Sequence, residues 1–286
     1  MPGVVVITGA AGQLAWAIAR VFGAAETVVA LRRDELDITD DRAVDRALHS
    51  IGPSVVINCA AFNDVDGAEA RPVHALEINA FGVRALARAA TASDALFVHY
   101  SSDFVFDGTG TTPYTETDPS NPQSVYAASK LLGEWFALES PGAYVLRVES
   151  LFGAGGHHSR RSSLDKIVTG IENGTEVTVF MDRTVSPSHV VDVAEATRAL
   201  VEGRPAAGIY HCVNTGAATW EDVAREAARQ MGREPRLRLT GMADVKLAAP
   251  RPMYCALSNA KLAAAGIFMP TWQDALARHL ASRPGL

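Results

Sequence analysis

The sequence predicts an α/β fold with a doubly wound parallel sheet and a smaller α/β region in the C-terminal half of the chain. Short apolar runs alternate with amphipathic stretches of helical period, which is the pattern of strands joined by covering helices. The first apolar run leads directly into a glycine turn, and the fourth ends in polar side chains. Both features are typical of an open sheet that binds a ligand at the carboxyl ends of its strands.

The first strand and turn read Gly3-Val-Val-Val-Ile-Thr-Gly-Ala-Ala-Gly-Gln-Leu-Ala, followed by a helix to about Phe22. Gly9 and Gly12 would let the backbone approach a diphosphate on the helix N-terminus, and Ala15 would let helix and strand pack closely. Gln13 and Leu14 open that helix and are expected to contact the same cofactor. We therefore expect residues 1–150 to form a dinucleotide-binding domain.

The second strand, Thr27 to Leu31, ends at Arg32 and Arg33. NAD-specific sites often place an acidic residue there for the ribose 2′-hydroxyl, whereas two guanidinium groups suit a 2′-phosphate. The sequence thus favours NADP(H) as the cofactor over NAD(H). The alternative is that both arginines are solvated surface charges. Asp37 and Ile38 are expected near the adenine.

The third strand begins at Ser54 and ends in small side chains, Cys59, Ala60 and Ala61. Small residues at a carboxyl end leave room for the ribose and nicotinamide half of the cofactor. A long helix is expected to follow, from about Arg71 to Ala92.

The fourth strand, residues 95–101, would deliver Ser102 and Asp103 to the same edge of the sheet. A helix beginning at Val125 would then place Tyr126 and Lys130 one turn apart on one face. An ammonium beside a phenol favours the phenolate, so Lys130 would lower the pKa of Tyr126, and Ser102 would bond the same substrate oxygen. The Tyr-x-x-x-Lys spacing occurs by chance on many helices and is weak evidence alone. It becomes stronger evidence of a catalytic site here because it follows a strand that ends in Ser-Ser-Asp and a glycine turn near the N-terminus.

The later half, residues 151–286, is expected to bind mainly the substrate, although a segment at about 184–232 returns to the first domain. Its features are a basic loop that closes over a diphosphate, a helix capped by Ser188, a strand from Gly208, and a helix capped by Thr219 with Asp222. The loop, Gly153 to Ser163, contains His157, His158, Arg160 and Arg161. We predict no metal site, because adjacent histidines without a carboxylate pattern make poor ligands.

The composition and net charge limit the kinds of binding partner and cellular location that we expect. A net charge of −6 and a pI near 5.8 give no electrostatic reason to expect a nucleic acid or an anionic membrane. We see neither a secretory leader nor a membrane span, and we expect a cytoplasmic protein. The three cysteines, Cys59, Cys212 and Cys255, are far apart and are expected to be reduced core residues.

Taken together, these motifs resemble the extended short-chain dehydrogenase/reductases, and among them the dTDP-4-dehydrorhamnose reductase (sugar-nucleotide-binding) family. The matching segments occur in the expected order along almost the whole chain. They are Thr8–Ala15, Leu36–Asp40, Val56–Ala61, Ser101–Gly108, Pro113–Pro119, Tyr126–Glu134 and Pro270–Leu276.

The resemblance implies a Rossmann fold and hydride transfer from a reduced nicotinamide to the 4-keto carbon of a nucleotide-linked deoxysugar. It implies that Tyr126 gives its proton to the developing alkoxide, that Lys130 holds the nicotinamide ribose, and that Ser102 polarises the carbonyl. Asp103 would order the nearby network. Ser186 would lie at the cleft, and Arg251 near the nucleotide phosphates, unless it is a surface arginine.

The chain departs from the family pattern beside the sugar. Phe104 stands where a tyrosine is usual, and Val148-Glu149-Ser150 replaces Thr-Ser-Trp. Ser150 would leave a larger and more polar pocket. Glu149 would bond sugar hydroxyls, favour an amino-substituted ligand, or form a salt bridge with an arginine. These changes leave the reaction class standing but put the rhamnose precursor in doubt.

Two other functions remain open at this point. One is an epimerase or dehydratase on the same scaffold, in which tightly held NAD is oxidised and reduced within one cycle. The other is a non-catalytic NADP-binding subunit, because the family also resembles the regulatory subunit of methionine adenosyltransferase. Ser102, Tyr126 and Lys130 favour catalysis, and Arg32 and Arg33 favour an exchangeable NADP. A homodimer is a further expectation.

Overall fold

The computed structural model describes residues 3–153 and 162–283. Its first half alternates strands and helices as the sequence predicts. These elements are β1 Val4–Thr8, α1 Gln13–Phe22, β2 Thr27–Leu31, α2 Asp41–Ile51, β3 Val55–Asn58, α3 Val65–Ala70, α4 Pro72–Leu76, α5 Gly82–Ala92, β4 Leu96–Ser102, α6 Val125–Ala137 and β5 Tyr144–Val148.

The second half begins at two short strands and contains the remaining helices. Its elements are β6 Leu151–Phe152, α7 Ser163–Glu172, β7 Val177–Phe180, β8 Thr184–Val185, β9 Ser188–His189, α8 Val190–Gly203, β10 Gly208–His211, β11 Ala218–Thr219, α9 Trp220–Gln230, β12 Leu237–Thr240, α10 Ala260–Ala264 and α11 Trp272–Ala281.

Six parallel strands form the central sheet, in the order β10-β5-β4-β3-β1-β2. Side chains alternate between its two faces: Val5 and Ile7 of β1 pack in one core with α1 and α8, while Val6 packs in the other with α2 and α5. Both faces are covered, so the strands are mostly apolar. The predicted doubly wound α/β sheet is confirmed.

The connection from β3 to β4 contains the long helix predicted from about Arg71 to Ala92, with a π-helical turn inside it and a short helix before it that the sequence does not predict. It contains α3, α4, a π-helical turn at Glu77–Phe81, and α5. Asn79, in the π turn, is fully buried and holds the loop after β3 by bonding both the N–H and the C=O of Phe62. Its amide also donates to Ser129 Oγ of α6 at 3.0 Å. The turn thereby ties the cleft loop to the helix that carries Tyr126 and Lys130.

A second core lies under the C-terminal elements. Phe152, Trp220 and Trp272 pack there with apolar residues of α7, α9 and α11. The strands β7 and β12 pair in parallel beside it, and β11 pairs antiparallel with β8. This smaller α/β layer faces the carboxyl edge of the central sheet through the cavity described below.

Two helix starts test the predicted caps. Thr219 and Asp222 form the expected capping box at α9. The predicted cap at Ser188 is wrong, because Ser188 lies in β9 and His189 precedes the first residue of α8. Ser188 Oγ instead donates to Ser186 O at 2.9 Å and accepts from Asn214 N at 3.1 Å, which joins this segment to the strand end after β10.

The cysteines of the described chain are unpaired; Cys212 and Cys255 are buried, as expected, but Cys59 is only partly buried and lines the cavities at the sheet edge. No helix in residues 3–153 and 162–283 combines the length and the hydropathy that crossing a bilayer requires.

Candidate active site

The carboxyl ends of β1, β3, β4 and β5 meet at one edge of the sheet, because these strands are parallel neighbours. A cavity of about 400 Å³ opens there. It brings together most of the residues that the sequence singles out. Those residues are Gly12, Gln13, Leu14, Cys59, Ala60, Ala61, Ser102, Asp103, Phe104, Tyr126, Lys130, Glu149 and Ser150.

The glycine turn has the geometry of an anion site. Gly9 has a φ of 71°, and a Cβ there would lie 2.5 Å from the backbone nitrogen of Ala60. Gly12 precedes α1 and offers no side-chain cap, so the first amides of the helix point at the cavity without a competing oxygen from that residue. The helix N-terminus therefore favours a bound phosphate.

A second cavity, of about 380 Å³, adjoins the first and shares Gly12, Cys59, Ala60 and Ala61 with it. Its remaining walls include Gly9, Arg33, Asp37 and Ile38, as expected for an adenosine pocket. The two cavities together fit a dinucleotide whose diphosphate lies on α1. We infer the fit from the crowded glycine turn and the shared walls.

The two arginines differ in their surroundings. The Arg33 side chain lines the second cavity and lies 3.6 Å from the Asp37 carboxylate, measured from Nε. Arg32 is held by two acidic neighbours, Asp34 at 3.3 Å and Glu35 at 3.7 Å. Only Arg33 is therefore placed by these contacts at the adenosine side.

Ser102, Tyr126 and Lys130 reach the first cavity from two elements. Ser102 is the last residue of β4, and the other two lie one turn apart on α6. The Lys130 ammonium donates to the backbone oxygen of Tyr100 at 2.6 Å and is almost fully buried. Burial lowers the pKa of Lys130 to about 8, although the nearby Glu134 and Cys59 oppose this shift.

A buried ion pair holds α6 against the sheet. Arg147 of β5 bonds both carboxylate oxygens of Glu134 on α6, at 2.8 and 2.7 Å. Both side chains are at most 3% exposed. A bidentate pair of this kind fixes orientation as well as distance. The helix that carries Tyr126 and Lys130 is thereby locked relative to the strand that precedes Glu149.

The expected effect of Lys130 on Tyr126 is not found in this structure. Burial raises the pKa of Tyr126, the negative charge of Asp103 raises it further, and the Ser102 hydroxyl opposes both by hydrogen bonding. The sequence placed an ammonium near the phenol but did not reveal that the phenol is buried and that a carboxylate lies close by. Tyr126 is thus held as a neutral phenol, the form that donates a proton.

Two buried acids form the wall behind these residues. Ser102 Oγ donates to Asp103 Oδ1 at 2.7 Å. Glu149 accepts hydrogen bonds from the backbone N–H of Ser186 and from Ser150 Oγ, the latter at 2.9 Å. Ser186 is fully buried, and its hydroxyl accepts from the N–H of Leu257. In this structure Ser186 therefore holds Glu149 in place and does not line the cavity, contrary to the ligand contact that the resemblance implies.

Sequence reasoning missed Arg183 and Trp220, which both line the cavity. Arg183 lies 5.4 Å above the ring of Phe104, and its Nη2 contacts Cys255 Sγ at 3.5 Å. Trp220 is 7% exposed and supplies an aromatic wall although the tryptophan usual at position 150 is absent. Arg183 follows a short strand like many surface arginines, so nothing local signals its role. Trp220 is the first residue of a helix whose cap is evident from the sequence. Its place at that helix start is the one sequence feature that could have suggested a position at the cavity.

Phe104 lines the cavity, and Arg251 lies next to the Phe104 ring. The Phe104 ring meets the Tyr126 ring edge-on at a centroid distance of 5.5 Å. Arg251 bonds the Asp66 carboxylate at 2.8 Å and lies 6.0 Å from the Phe104 ring. It is thus tied to α3, and a role at nucleotide phosphates stays a prediction.

Two further predictions are not decided. The basic loop centred on His157, His158, Arg160 and Arg161 lies outside the described residues. Asp103, Glu149 and Cys255 each place one oxygen or sulfur within 4.8 Å of the others. The charge of Arg183 beside them disfavours a divalent cation, and the expectation of no metal site stays a prediction.

Comparison with known proteins agrees with this geometry. The family described as "RmlD substrate binding domain" matches residues 3–283. A dTDP-4-dehydrorhamnose reductase of Streptomyces griseus is 37% identical over 281 residues, 94% of this chain and 90% of the relative. A dTDP-4-keto-6-deoxy-D-glucose reductase of Streptomyces niveus is 34% identical over 265 residues, 91% of this chain and 90% of the relative.

Comparison with solved structures also finds a reductase of this kind. The crystal structure of a dTDP-4-dehydrorhamnose reductase from Bacillus anthracis in complex with NADP superposes with a TM-score of 0.93 at 29% identity, and the match covers 99% of this chain and 100% of that one. The motifs, the parallel sheet and these matches together show that the chain belongs to the RmlD substrate binding domain family of extended short-chain dehydrogenase/reductases.

Proposed function

We propose that this protein is an NADPH-dependent oxidoreductase that reduces the 4-keto group of a nucleotide-linked deoxysugar. One observation carries the proposal: Ser102, Tyr126 and Lys130 line the same cavity as the turn at Gly12 that precedes α1. A proton donor thus lies within one cleft with the helix terminus suited to a dinucleotide. The family's named reductases support this assignment.

The residues of the chain divide the chemistry between them. Bound NADPH supplies the hydride. Tyr126 donates its phenolic proton to the substrate oxygen as negative charge develops there. Ser102, at the end of β4, bonds the same oxygen and orients the carbonyl. Lys130, held by the backbone oxygen of Tyr100, would bind the nicotinamide ribose. Burial of all three excludes water and strengthens these interactions.

The cofactor is proposed to be NADP(H). Support comes from Arg33 on the wall of the second cavity and from the NADP complex of the Bacillus anthracis relative. A guanidinium group binds a 2′-phosphate through charge-assisted hydrogen bonds. The exposed position of Arg33 leaves it free to turn from Asp37 towards that phosphate.

The sugar side of the cavity is more polar than the family pattern predicts. Ser150, Glu149 and Arg183 line it, and Trp220 supplies an aromatic surface. Relatives are named for two different 4-keto substrates, dTDP-4-dehydrorhamnose and dTDP-4-keto-6-deoxy-D-glucose. We propose a nucleotide-linked 4-keto-6-deoxyhexose as the substrate class.

The test uses purified protein, NADPH and both of these dTDP sugars. Loss of NADPH absorbance in proportion to the alcohol formed supports the reductase. Conversion of the sugar without net consumption of NADPH would instead indicate an epimerase or dehydratase. Binding of NADPH without any conversion would indicate a regulatory subunit. The matched control is Tyr126→Phe, which keeps the ring and removes the proton.

Three organisational points are part of the proposal. Residues 1–150, together with a segment at about 184–232 that includes β10, would hold the cofactor, and residues 151–286 would mainly hold the substrate.

A homodimer is proposed from two exposed aromatic side chains, Phe81, which is 49% exposed, and Trp135, which is 62% exposed. Sedimentation equilibrium of wild type and Trp135→Glu would test it. A cytoplasmic location stays a prediction.

A further inference from the structure

One guanidinium group at the cavity lacks the partners that a partly buried cation usually has. Arg251, on the same aromatic ring, pairs with the Asp66 carboxylate at 2.8 Å. Arg183 forms no ion pair with a carboxylate in the described part of the chain, and its buried Nε has no hydrogen-bond partner there. The acceptor that its Nη2 reaches is Cys255 Sγ, at 3.5 Å, and sulfur is a weak acceptor. Donors without acceptors cost free energy, so the side chain favours a ligand that supplies them.

The guanidinium lies at the end of the cavity where the proposed reduction takes place. Arg183 Cζ is 5.4 Å from the centre of the Phe104 ring, and the same ring meets the Tyr126 ring edge-on at a centroid distance of 5.5 Å. Phe104 also follows the strand end that carries Ser102. A sugar whose C4 oxygen is bonded by Ser102 and Tyr126 therefore has the carbons next to C4 close to Arg183.

The chemistry of the substrate class identifies the group that Arg183 meets. In a 4-keto-6-deoxyhexose, the carbons on either side of C4 are C3, which carries a hydroxyl, and C5, which carries a methyl group. A guanidinium group has donors only and therefore needs an acceptor. The C3 hydroxyl oxygen accepts, whereas a methyl group cannot. The diphosphate is attached at C1, across the ring from C4, and so lies at the far end of the sugar.

We propose that Arg183 determines specificity by donating hydrogen bonds to the C3 hydroxyl of the sugar; the proposal rests on the reductase function. The Phe104 ring and Cys255 Sγ hold the guanidinium without neutralising its charge, which leaves its other donors for the ligand. A sugar without the C3 hydroxyl leaves these donors unpaired in the complex. A site built around such a bond rejects the analogue that lacks it.

The kinetic test combines a deletion in the sugar with a deletion in the protein. The values of kcat/KM are measured with NADPH for dTDP-4-keto-6-deoxy-D-glucose and for its 3-deoxy analogue. Wild type should prefer the 3-hydroxy sugar by roughly tenfold to a hundredfold, the effect of a hydrogen bond to a charged group. Arg183→Met keeps an apolar stem and removes the donors, so this preference should be lost. A structural defect, or a guanidinium that only balances the charge of Asp103, would lower both values together and preserve their ratio.

Arg251→Met is the matched control, because Arg251 lies 6.0 Å from the same Phe104 ring but is paired with Asp66. The ratio of the two kcat/KM values in this variant should remain that of wild type, whatever its activity. A second readout is independent of turnover. The reduced forms of the two dTDP sugars are titrated into the cofactor-free protein, and their Kd values should show the same preference in wild type and its loss in Arg183→Met.

The outcomes separate this role from the proposed function. A wild type that reduces both sugars equally well would overturn the role of Arg183 alone. So would an Arg183→Met variant that keeps the wild-type preference, or an equal loss of preference in Arg251→Met. A wild type that consumes no NADPH, either with these sugars or with dTDP-4-dehydrorhamnose, would overturn the proposed function and this role with it.

Discussion

Replacing Arg33 with alanine is expected to weaken NADPH binding selectively. The Arg33 side chain is 68% exposed and its Nε lies 3.6 Å from Asp37. An exposed pair of this kind is worth at most about 1 kcal/mol, so turning the guanidinium to a 2′-phosphate costs little. A hydrogen bond to a charged group contributes about 1.5–3 kcal/mol. The net loss in Arg33→Ala, about 1–2 kcal/mol, corresponds to a roughly five- to thirtyfold rise in the Kd for NADPH.

The assay is a fluorescence titration of the cofactor-free protein with NADPH and, separately, with NADH. The Kd for NADH should change little, because NADH has no 2′-phosphate. Arg32→Ala is the matched control, since Arg32 is engaged by Asp34 and Glu35, and it should weaken NADPH less than Arg33→Ala. Equal weakening of both cofactors, or a larger effect from Arg32→Ala, would refute the assignment of Arg33.

Three other outcomes are expected. Tyr126→Phe should lower kcat by about a hundredfold or more, as loss of a general acid does, with NADPH binding nearly unchanged; retained turnover would remove Tyr126 as the donor. Gly9→Ala should lower the urea unfolding free energy by about 2–5 kcal/mol, from positive φ and overpacking together. Gly52→Ala, at a φ of 63° with no described atom within 4 Å of the added Cβ, should show only the smaller φ cost. Burial lowers the pKa of Lys130 from 10.5 to about 8, so the unfolded chain binds the extra proton between these values, and wild type should gain stability relative to Lys130→Met as the pH rises through them. A difference between Lys130→Met and wild type that is independent of pH would contradict that account.

The cavity also shows why a departure from a family pattern is hard to interpret from sequence. Ser150 replaces the usual tryptophan, and its small side chain predicts an open pocket. The structure brings Trp220 from α9 to the same cavity, 70 positions further along the chain. Glu149 raises a similar difficulty, because its partners are the backbone of Ser186 and the neighbouring Ser150, with Arg183 close by. Ser186 and Arg183 flank β8, more than 30 positions further along the chain.

The sequence by itself determined the alternating elements of the first half, the glycine turn at Gly9, the spacing of Tyr126 and Lys130, and the cap at Thr219. These features are local: a strand, a turn or a helix face depends on residues a few positions apart, so periodicity and residue type are sufficient to predict them. The π-helical turn at Asn79 within the predicted long helix and the pairing of Ser188 depended on contacts with distant segments. So did the burial of Tyr126, the position of Arg183, and the proximity of Asp103 to Glu149. Only the tertiary structure decided these, because burial and charge proximity arise when segments far apart in sequence are packed together, and they determine the protonation of the groups at the site.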